Sequence, residues 1–373
     1  MLGVAACGGS APAASHSPVA ATTTQTSSSP SGAASASPTA SGGSASLVHC
    51  SAAVPAGDNL VIGMVVGDPT VVVRDIQDPA NAKNVCSFDS NVIGPQFVSA
   101  TKVAYETPDR QIIVADLTGG GARTVATYGS GFGSGQFAVS PDGASITYLD
   151  GNAWRVAGPS GGKVLATLPA PGGRGVNPDE DDTYLSYSPD GQYVALFQTF
   201  HVGGTGETAP DQIRRAGDGS LVYSTTGMTM AVWASVPSRL YFRDSSGNVH
   251  RWDSSGGLSS MTSIHWIRPR SSPDGRWISY TFRTSSGVGG VGFYSVQANS
   301  VQNTSPPGRS GVMFLSNDLV WYAGEKQCTT NCGLQQATPT GVTYIYSISG
   351  ATEVTARLAT VYDAWPHQTA PGI

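Results

Sequence analysis

The sequence has little charge, no long apolar run and no closely spaced cysteine pair of the zinc-binding kind. Charged residues make up only 12% of the 373 residues, and the formal net charge is −5. Because no basic stripe is present to neutralise phosphates, we expect no binding to nucleic acid. No stretch approaches about 18 consecutive apolar residues, so we expect no membrane-spanning helix. The missing Cys-x-x-Cys spacing disfavours a four-thiolate metal site.

What the sequence has instead is abundant glycine and proline, with 47 and 24 residues, and one turn motif in three copies. Ser-Pro-Asp-Gly occurs at 140–143, 188–191 and 272–275. Proline presets the backbone of the first corner of a tight turn, Asp suits the second, and Gly readily takes the left-handed conformation that follows. Each copy therefore predicts a hairpin between two β-strands. A hairpin that recurs at intervals of about 40–50 residues is typical of a β-propeller.

Alignment on these turns predicts seven four-stranded units. The second and third strands recur seven times after residue 47, but only six first strands precede a second strand. The seventh, at 363–367, stands at the C-terminus, while the N-terminal unit lacks its first strand. Joining the two ends would close a ring and leave only short, protected strand edges. We therefore predict an all-β, seven-bladed β-propeller closed by a C-terminal strand. Six blades is the alternative if the unit near Met228 or the N-terminal unit is miscounted.

The repeated pattern Ser-Pro-Asp-Gly-x-x-Ile/Val-x-Tyr/Leu resembles the WD40-like repeat of TolB-type β-propellers. The resemblance extends loosely over 47–373 and is specific at the three turns. It implies a β-propeller lipoprotein of the bacterial cell envelope. The best-known member of that family has six blades and an additional N-terminal α/β domain, whereas this chain has a Ser-, Ala-, Thr-, Pro- and Gly-rich segment in its place. The partner role of that member therefore does not transfer directly.

The N-terminal residues indicate an exported, lipid-anchored protein. Small residues precede Cys7 and glycine follows it, which resembles the lipobox of bacterial lipoproteins. The resemblance implies that Cys7 is lipidated after signal cleavage. A basic n-region and most of an apolar h-region are missing, so we interpret 1–7 as a truncated signal peptide and lipobox. The alternative is a chance cysteine in an Ala/Gly-rich tail.

Residues 8–46 are almost wholly Ser, Ala, Thr, Pro and Gly. Such a segment cannot bury enough apolar surface to offset the entropy of ordering it. We expect a disordered tether that holds the domain at 47–373 clear of a membrane surface. The protein would then be extracytoplasmic, attached to the bacterial cell membrane through its lipid anchor only, and monomeric.

The other four cysteines predict two disulfides, because an even number in an exported protein is usually paired. They are Cys50, Cys86, Cys328 and Cys332. Three pairings are possible. Closure of Cys50 to Cys86 and of Cys328 to Cys332 is the simplest.

The connections of a propeller lie on two faces, and here the long ones share one face. They are the stretches 169–183, 199–210, 283–290 and 324–341, which together define the long-loop face. Long loops grouped on a rigid scaffold are where binding usually occurs. Candidate binding residues on this face are Asp179, Glu180, Asp181, Asp182, His201, Glu207, Arg283, Glu325 and Lys326. The acidic run 179–182 could hold Ca²⁺, but it lacks the spacing of a dedicated calcium loop, and a solvated acidic loop is the favoured interpretation.

The first strands supply few polar side chains to an axial channel. The candidates are Gln96, Gln136, His265, Arg268 and His367. They contain neither a pair of carboxylates nor three histidines, so metal-assisted hydrolysis lacks its ligands. We therefore predict no catalytic residues, no cofactor and no metal, and a binding module for an envelope protein or a cell-wall component. The alternative is a hydrolase or lyase that acts on a sugar or lactone at the channel.

Overall fold

The computed structural model describes residues 46–365 except 52, 56–58, 130–135, 160, 170–183, 198–209, 235–237, 245, 262–266, 286 and 330–336. The described residues form seven antiparallel sheets, each of which is one blade of a β-propeller. The seven-bladed prediction is confirmed, and the six-bladed alternative is wrong. The predicted lipobox and nearly all of the predicted tether lie outside the described residues.

Each blade is built mainly from strands that follow one another in the chain. Blade 1 contains β1 (Val48–Cys50), β2 (Leu60–Val65), β3 (Asp68–Asp75) and β4 (Lys83–Phe88), with a short 3-10 helix (Pro79–Asn81) between β3 and β4. Blade 2 contains β5 (Ile93–Ser99), β6 (Lys102–Glu106), β7 (Gln111–Asp116) and β8 (Ala122–Thr127). Blade 3 contains β9 (Phe137–Val139), β10 (Ile146–Asp150), β11 (Ala153–Gly158) and β12 (Gly161–Thr167). Blade 4 contains β13 (Tyr184–Tyr187), β14 (Tyr193–Phe197), β15 (Asp211–Arg215) and β16 (Leu221–Thr225).

The remaining strands complete the ring. Blade 5 contains β17 (Thr229–Ala234), β18 (Arg239–Arg243), β19 (Val249–Asp253) and β20 (Gly257–Ser260). Blade 6 contains β21 (Ile267–Ser271), β22 (Trp277–Arg283), β23 (Gly289–Ser295) and β24 (Ser300–Thr304). Blade 7 contains β25 (Arg309–Phe314), β26 (Leu319–Gln327), β27 (Ala337–Ser347) and β28 (Thr352–Ala356). The last strand, β29 (Leu358–Trp365), belongs to blade 1.

Strand β29 closes the ring, because it pairs antiparallel with β2 at the opposite end of the chain. Leu60 lies opposite Trp365, so the predicted join between the two termini is confirmed. The strand begins earlier than the predicted stretch 363–367. The reason is that Leu358 and Val361 are both only 2% exposed and extend the apolar pattern towards the N-terminal end of the strand.

Blade 1 departs from the predicted four-strand pattern, because β1 adds a fifth strand outside β4. Cys50 lies opposite Cys86 in this pairing, and the two form a disulfide bond, which confirms the first predicted closure. The disulfide therefore links this strand of three residues covalently to β4. Cys328 is also disulfide-bonded. Cys332 lies outside the described residues.

The three Ser-Pro-Asp-Gly turns share one hydrogen-bond pattern, shown here for the copy in blade 4. Gly191 N donates to Ser188 O (2.9 Å), and Gly191 has a φ of 68°, in the left-handed region that glycine tolerates. The Ser188 hydroxyl donates to Asp190 Oδ1 (2.7 Å) and accepts from Tyr193 N (2.9 Å). The same contacts recur in the other two copies. These residues satisfy one another locally, which is why the motif specifies its turn without help from the rest of the fold.

The core of the described residues consists of seven apolar clusters, one at each boundary between neighbouring blades. The cluster between blades 7 and 1 joins Met313 and Ile345 to Leu358 and Val361. Burial of apolar area at every boundary stabilises the ring, since each blade covers the faces of two others.

No helix in the described ranges is long and apolar enough to cross a membrane.

Candidate binding face

The long-loop face is described best in blades 6 and 7. Strands β22 and β26 both run towards it and end at Arg283 and Gln327, respectively. Arg283, Glu325 and Lys326 are the predicted binding residues that the structure describes. The acidic run 179–182, His201 and Glu207 lie outside the described residues, so the suggested Ca²⁺ loop stays a prediction.

Glu325 links the two blades at this face. Its carboxylate contacts Arg283 Nη1 at the end of β22 and accepts a hydrogen bond from the Ser310 hydroxyl (2.5 Å). The side chain of Glu325 is 10% exposed, whereas that of Arg283 is 39% exposed. The buried carboxylate therefore holds one end of the Arg283 side chain and leaves the rest of that cation accessible.

The backbone below this contact is also tied across the blade boundary. Gly308 N donates to Gly289 O (2.7 Å), and Glu325 N donates to Gly308 O (2.9 Å). A Cβ atom at Gly289 would lie 2.6 Å from Glu325 Oε2 and 2.7 Å from Arg309 O, so no larger residue fits without displacing the carboxylate. The boundary between blades 6 and 7 is consequently close-packed and rigid where it reaches the long-loop face.

A second polar network stands beside this contact within blade 7. Arg309 donates to both oxygens of Glu353, from Nη2 (2.5 Å) and Nε (3.2 Å), and its guanidinium lies 3.9 Å from the centroid of the Tyr344 ring. Tyr322 also donates its hydroxyl proton to Glu353 Oε2 (2.7 Å). Two-point pairing of a guanidinium with a carboxylate is geometrically specific and strong for a hydrogen bond.

The protonation states of this network suit a structural role. Burial opposes ionisation of Glu353, but the hydrogen bonds from Arg309 and Tyr322 hold the pKa of Glu353 below its usual value. Burial, together with the neighbouring Glu353 carboxylate, raises the pKa of the Tyr322 hydroxyl well above its usual value. A carboxylate that is already paired and a phenol that keeps its proton are poor acid–base catalysts, so the network stiffens the blade.

Blade 2 places one unusual carboxyl group at the same face. Glu106 is the last residue of β6, and burial raises its pKa to about 7. The hydroxyl of Tyr128 donates a hydrogen bond to Glu106 Oε1. A carboxyl group that titrates near neutrality can hold or release a proton under ordinary conditions.

The structure describes three of the five predicted channel residues, and the contacts of these three do not join them to one another. Gln96 Nε2 donates to Phe137 O (3.2 Å) and so joins the first strands of blades 2 and 3. The side chain of Arg268 is exposed, and its backbone N–H donates to Met230 Sδ (3.3 Å). Gln136 is half-buried beside β9. His265 and His367 lie outside the described residues.

Sequence reasoning missed the role of Asp363 on the inner strand β29. Asp363 is 7% exposed, and its carboxylate accepts hydrogen bonds from Phe97 N (2.7 Å) in blade 2 and from Ala364 N (2.9 Å). The Arg309–Glu353 pair was missed as well. Its partners lie 44 residues apart, and no local spacing pattern connects them. Among the described residues, no three His, Cys, Asp or Glu side chains form a group that could hold a metal ion.

Comparison with known proteins supports the fold. No protein-family model matches the chain, and no curated protein matches it. An oligogalacturonate lyase from Vibrio parahaemolyticus has a TM-score of 0.52 and 11% identity, over 80% of this chain and 86% of its own. A prolyl endopeptidase has a TM-score of 0.52 and 15% identity, over 83% of this chain and 49% of its own. TolB from Acinetobacter baumannii has a TM-score of 0.42 and 20% identity, over 68% of this chain and 65% of its own. At such low identity the likeness to the lyase and to the endopeptidase shows the fold alone, and the TM-score of TolB is too low to support an argument.

Proposed function

We propose that this protein is a lipid-anchored, extracytoplasmic β-propeller that binds an envelope protein or a cell-wall component through its long-loop face. The observation that carries the proposal is the accessible cation Arg283 on the rigid boundary between blades 6 and 7, with a second exposed cation, Lys326, on β26. A surface that is fixed before binding loses less conformational entropy when the ligand arrives. Long loops on a rigid scaffold are also the usual place for binding.

The charge of these two residues indicates the chemistry of the ligand. Glu325 is mostly buried and engaged by Arg283 and Ser310, so the charged groups that reach solvent at this position are the guanidinium of Arg283 and the ammonium group of Lys326. We therefore expect the ligand to present carboxylates, either on an acidic protein surface or on the peptide part of a cell wall. Exposed charges of this kind chiefly set the association rate and its salt dependence.

The binding proposal is tested with a double variant, Arg283→Gln with Lys326→Glu. The control is Arg276→Gln, whose side chain is 70% exposed next to the Pro-Asp-Gly turn of blade 6. Binding to purified peptidoglycan is measured by co-sedimentation, and binding to envelope proteins by cross-linking in intact cells. We expect the double variant to bind at least about tenfold more weakly, equivalent to about 1.4 kcal/mol, with no change in the control. Equal binding by the double variant and the control would refute the role of this face.

The membrane anchor is tested separately, because binding does not require it. The protein is expressed from its full gene with and without Cys7→Ser, and cells are labelled with a fatty-acid analogue. We expect label and membrane association in the parent and neither in the variant. Unlabelled parent protein would remove the anchor from the proposal and leave the binding face to be judged on its own assay.

The second candidate function is a hydrolase or lyase that acts on a sugar or a lactone. Glu106 is the observation that favours it, because a carboxyl group with a pKa near 7 is suited to proton transfer. One solved structure of similar fold is an oligogalacturonate lyase, which makes oligogalacturonate a reasonable first substrate to test. Product formation that disappears in Glu106→Gln would favour catalysis. No turnover by the parent protein would leave binding as the better account.

A further inference from the structure

A cavity of about 320 Å³ lies between the outer strands of blades 1 and 7, next to the strand that closes the ring. Its lining includes three cations, Arg74, Lys83 and Arg357. Apolar side chains, Ile76, Ile345 and Leu358, contribute to the same lining. No Asp or Glu is among the described residues that line it.

The three cations of the cavity are not paired with a carboxylate of any residue that the structure describes. The two nearby acids in the same connection are engaged locally, since Asp75 accepts from Gln77 N (2.9 Å) and Asp78 accepts from Asn81 Nδ2 (2.7 Å). Among the described residues, these two carboxylates therefore lie near the cavity, with Asp75 opposite Lys83 across the β3–β4 pairing, but neither forms an ion pair with the three cations.

Arg74 is the most constrained of the three. The residue is only 6% exposed, and its Nη2 donates to Ala82 O (2.5 Å). Its Nε is buried and has no hydrogen-bond partner among the residues that the structure describes. Burial, and then the positive charge of Arg357, lower the pKa of the Arg74 guanidinium. A buried N–H without a partner and two adjacent like charges are both unfavourable, and proteins normally compensate such groups.

An oxyanion in the cavity would offset the like charges of Arg74 and Arg357. A guanidinium presents a planar fork of N–H donors that matches a carboxylate or a phosphate, and Lys83 adds a third positive charge. The volume is at the lower end of the range for small-molecule pockets, about 300–1,000 Å³. The apolar side chains suit a ligand with a small hydrocarbon or aromatic body.

We propose that this cavity is a binding site for a small organic oxyanion, whose charged group lies between Arg74 and Arg357 and whose apolar part packs on Ile345 and Leu358. The site is separate from the Arg283–Lys326 surface, and neither depends on the other. It has a structural consequence, because the carbonyl oxygen of Leu358 accepts hydrogen bonds from Trp321 Nε1 (3.0 Å) and Thr343 Oγ1 (2.6 Å) at the start of β29. A bound anion would brace the point where the ring closes.

The test uses matched probes of the full chain at constant ionic strength. Benzoate and phenyl phosphate carry an oxyanion on an aromatic body, whereas benzamide has the shape of benzoate without its charge. We expect benzoate, phenyl phosphate or both to raise the melting temperature in a saturable way, and benzamide to leave it unchanged. Comparison of the two anions distinguishes a carboxylate site from a phosphate site.

The variants Arg357→Gln and Lys83→Gln report on the site because both side chains are exposed and their loss does not disturb the core. Each should weaken the apparent affinity about tenfold, whereas Arg276→Gln, on the turn of blade 6, should not. Arg74→Gln is the more direct change but alters a buried position. The proposal is overturned if neither anion gives a saturable shift, if benzamide acts like benzoate, or if both exposed variants bind as tightly as Arg276→Gln.

Discussion

One additional methyl group at Gly63 should weaken the pairing of β2 with β29 that closes the ring. This residue lies in β2, where the closing strand β29 passes directly beside it. A Cβ atom at Gly63 would fall on the carbonyl oxygen of Thr360, roughly 1 Å closer than non-bonded atoms normally approach. The obstacle is backbone, so it cannot rotate away as a side chain would. Gly63→Ala must therefore push β2 and β29 apart.

The expected cost follows from two opposing effects. Overpacking of a close-fitting interior destabilises proteins by about 1–3 kcal/mol, and the rigid backbone contact favours the upper end of that range. Replacing Gly by Ala also restricts the unfolded chain, which stabilises the folded state by about 0.4–1 kcal/mol. We expect the free energy of unfolding of Gly63→Ala to fall by about 2 kcal/mol.

The control is Gly217→Ala, where a Cβ would meet no heavy atom within 4 Å. This variant should show only the unfolded-state effect and be unchanged or slightly more stable. Urea unfolding gives the free energies, and hydrogen exchange of the amides of 358–365 reports directly on the pairing of β2 with β29. The reasoning is refuted if Gly63→Ala matches Gly217→Ala in both unfolding midpoint and exchange of β29.

Three further predictions concern pH, the disulfide and the repeated turn. Glu106 has a pKa of about 7 in the folded protein against 4.5 in the unfolded chain, so its contribution to stability is fully present below pH 4.5 and is lost as the pH rises through 7. Glu106→Gln should remove this pH dependence of the free energy of unfolding, which amounts to about 1–2 kcal/mol between pH 5 and pH 8 after allowance for solvent screening. Urea unfolding at the two pH values measures it, and the same difference in parent and variant would contradict the prediction. Replacing Cys50 and Cys86 by serine should lower the free energy of unfolding by about 2–4 kcal/mol, as their 36-residue separation implies, and a variant as stable as the parent would show that the bond does not constrain the unfolded chain. Asp190→Ala should cost about 1–2 kcal/mol, because the Ser188 hydroxyl and Gln192 N both lose their contact with the Asp190 carboxylate; calorimetry showing no loss would mean that the turn does not depend on these contacts.

Several features of the fold were predictable because their causes are local. The Ser-Pro-Asp-Gly turns satisfy their own hydrogen bonds within six residues, as the Ser188–Tyr193 pattern shows, so the sequence motif carries its own geometry. Counting strands between such turns then predicted the number of blades. The join between the N-terminal unit and β29 followed, since an unpaired first blade and an unpaired last strand would each leave exposed edges.

Other features depend on residues that meet only in the folded ring. Strand β1 was not expected, because nothing in 48–50 indicates that it pairs outside β4 until Cys50 is placed opposite Cys86. The candidate binding face shows the same limit. The long loops predicted the face and its residues Arg283, Glu325 and Lys326. The contact between Arg283 and Glu325 was not predicted, because the two residues belong to different blades.

The sequence by itself determined that this chain forms a ring of seven small sheets closed by its own last strand, because turn chemistry and strand alternation act over a few neighbouring residues. Only the tertiary structure decided where charge is paired and where it is not. Arg309 pairs with Glu353, 44 residues further along the chain, whereas Arg74 and Arg357 come from opposite ends of the domain and line one cavity that has no acidic residue among its described lining. Electrostatic compensation depends on distance in space, and separation along the chain does not encode it.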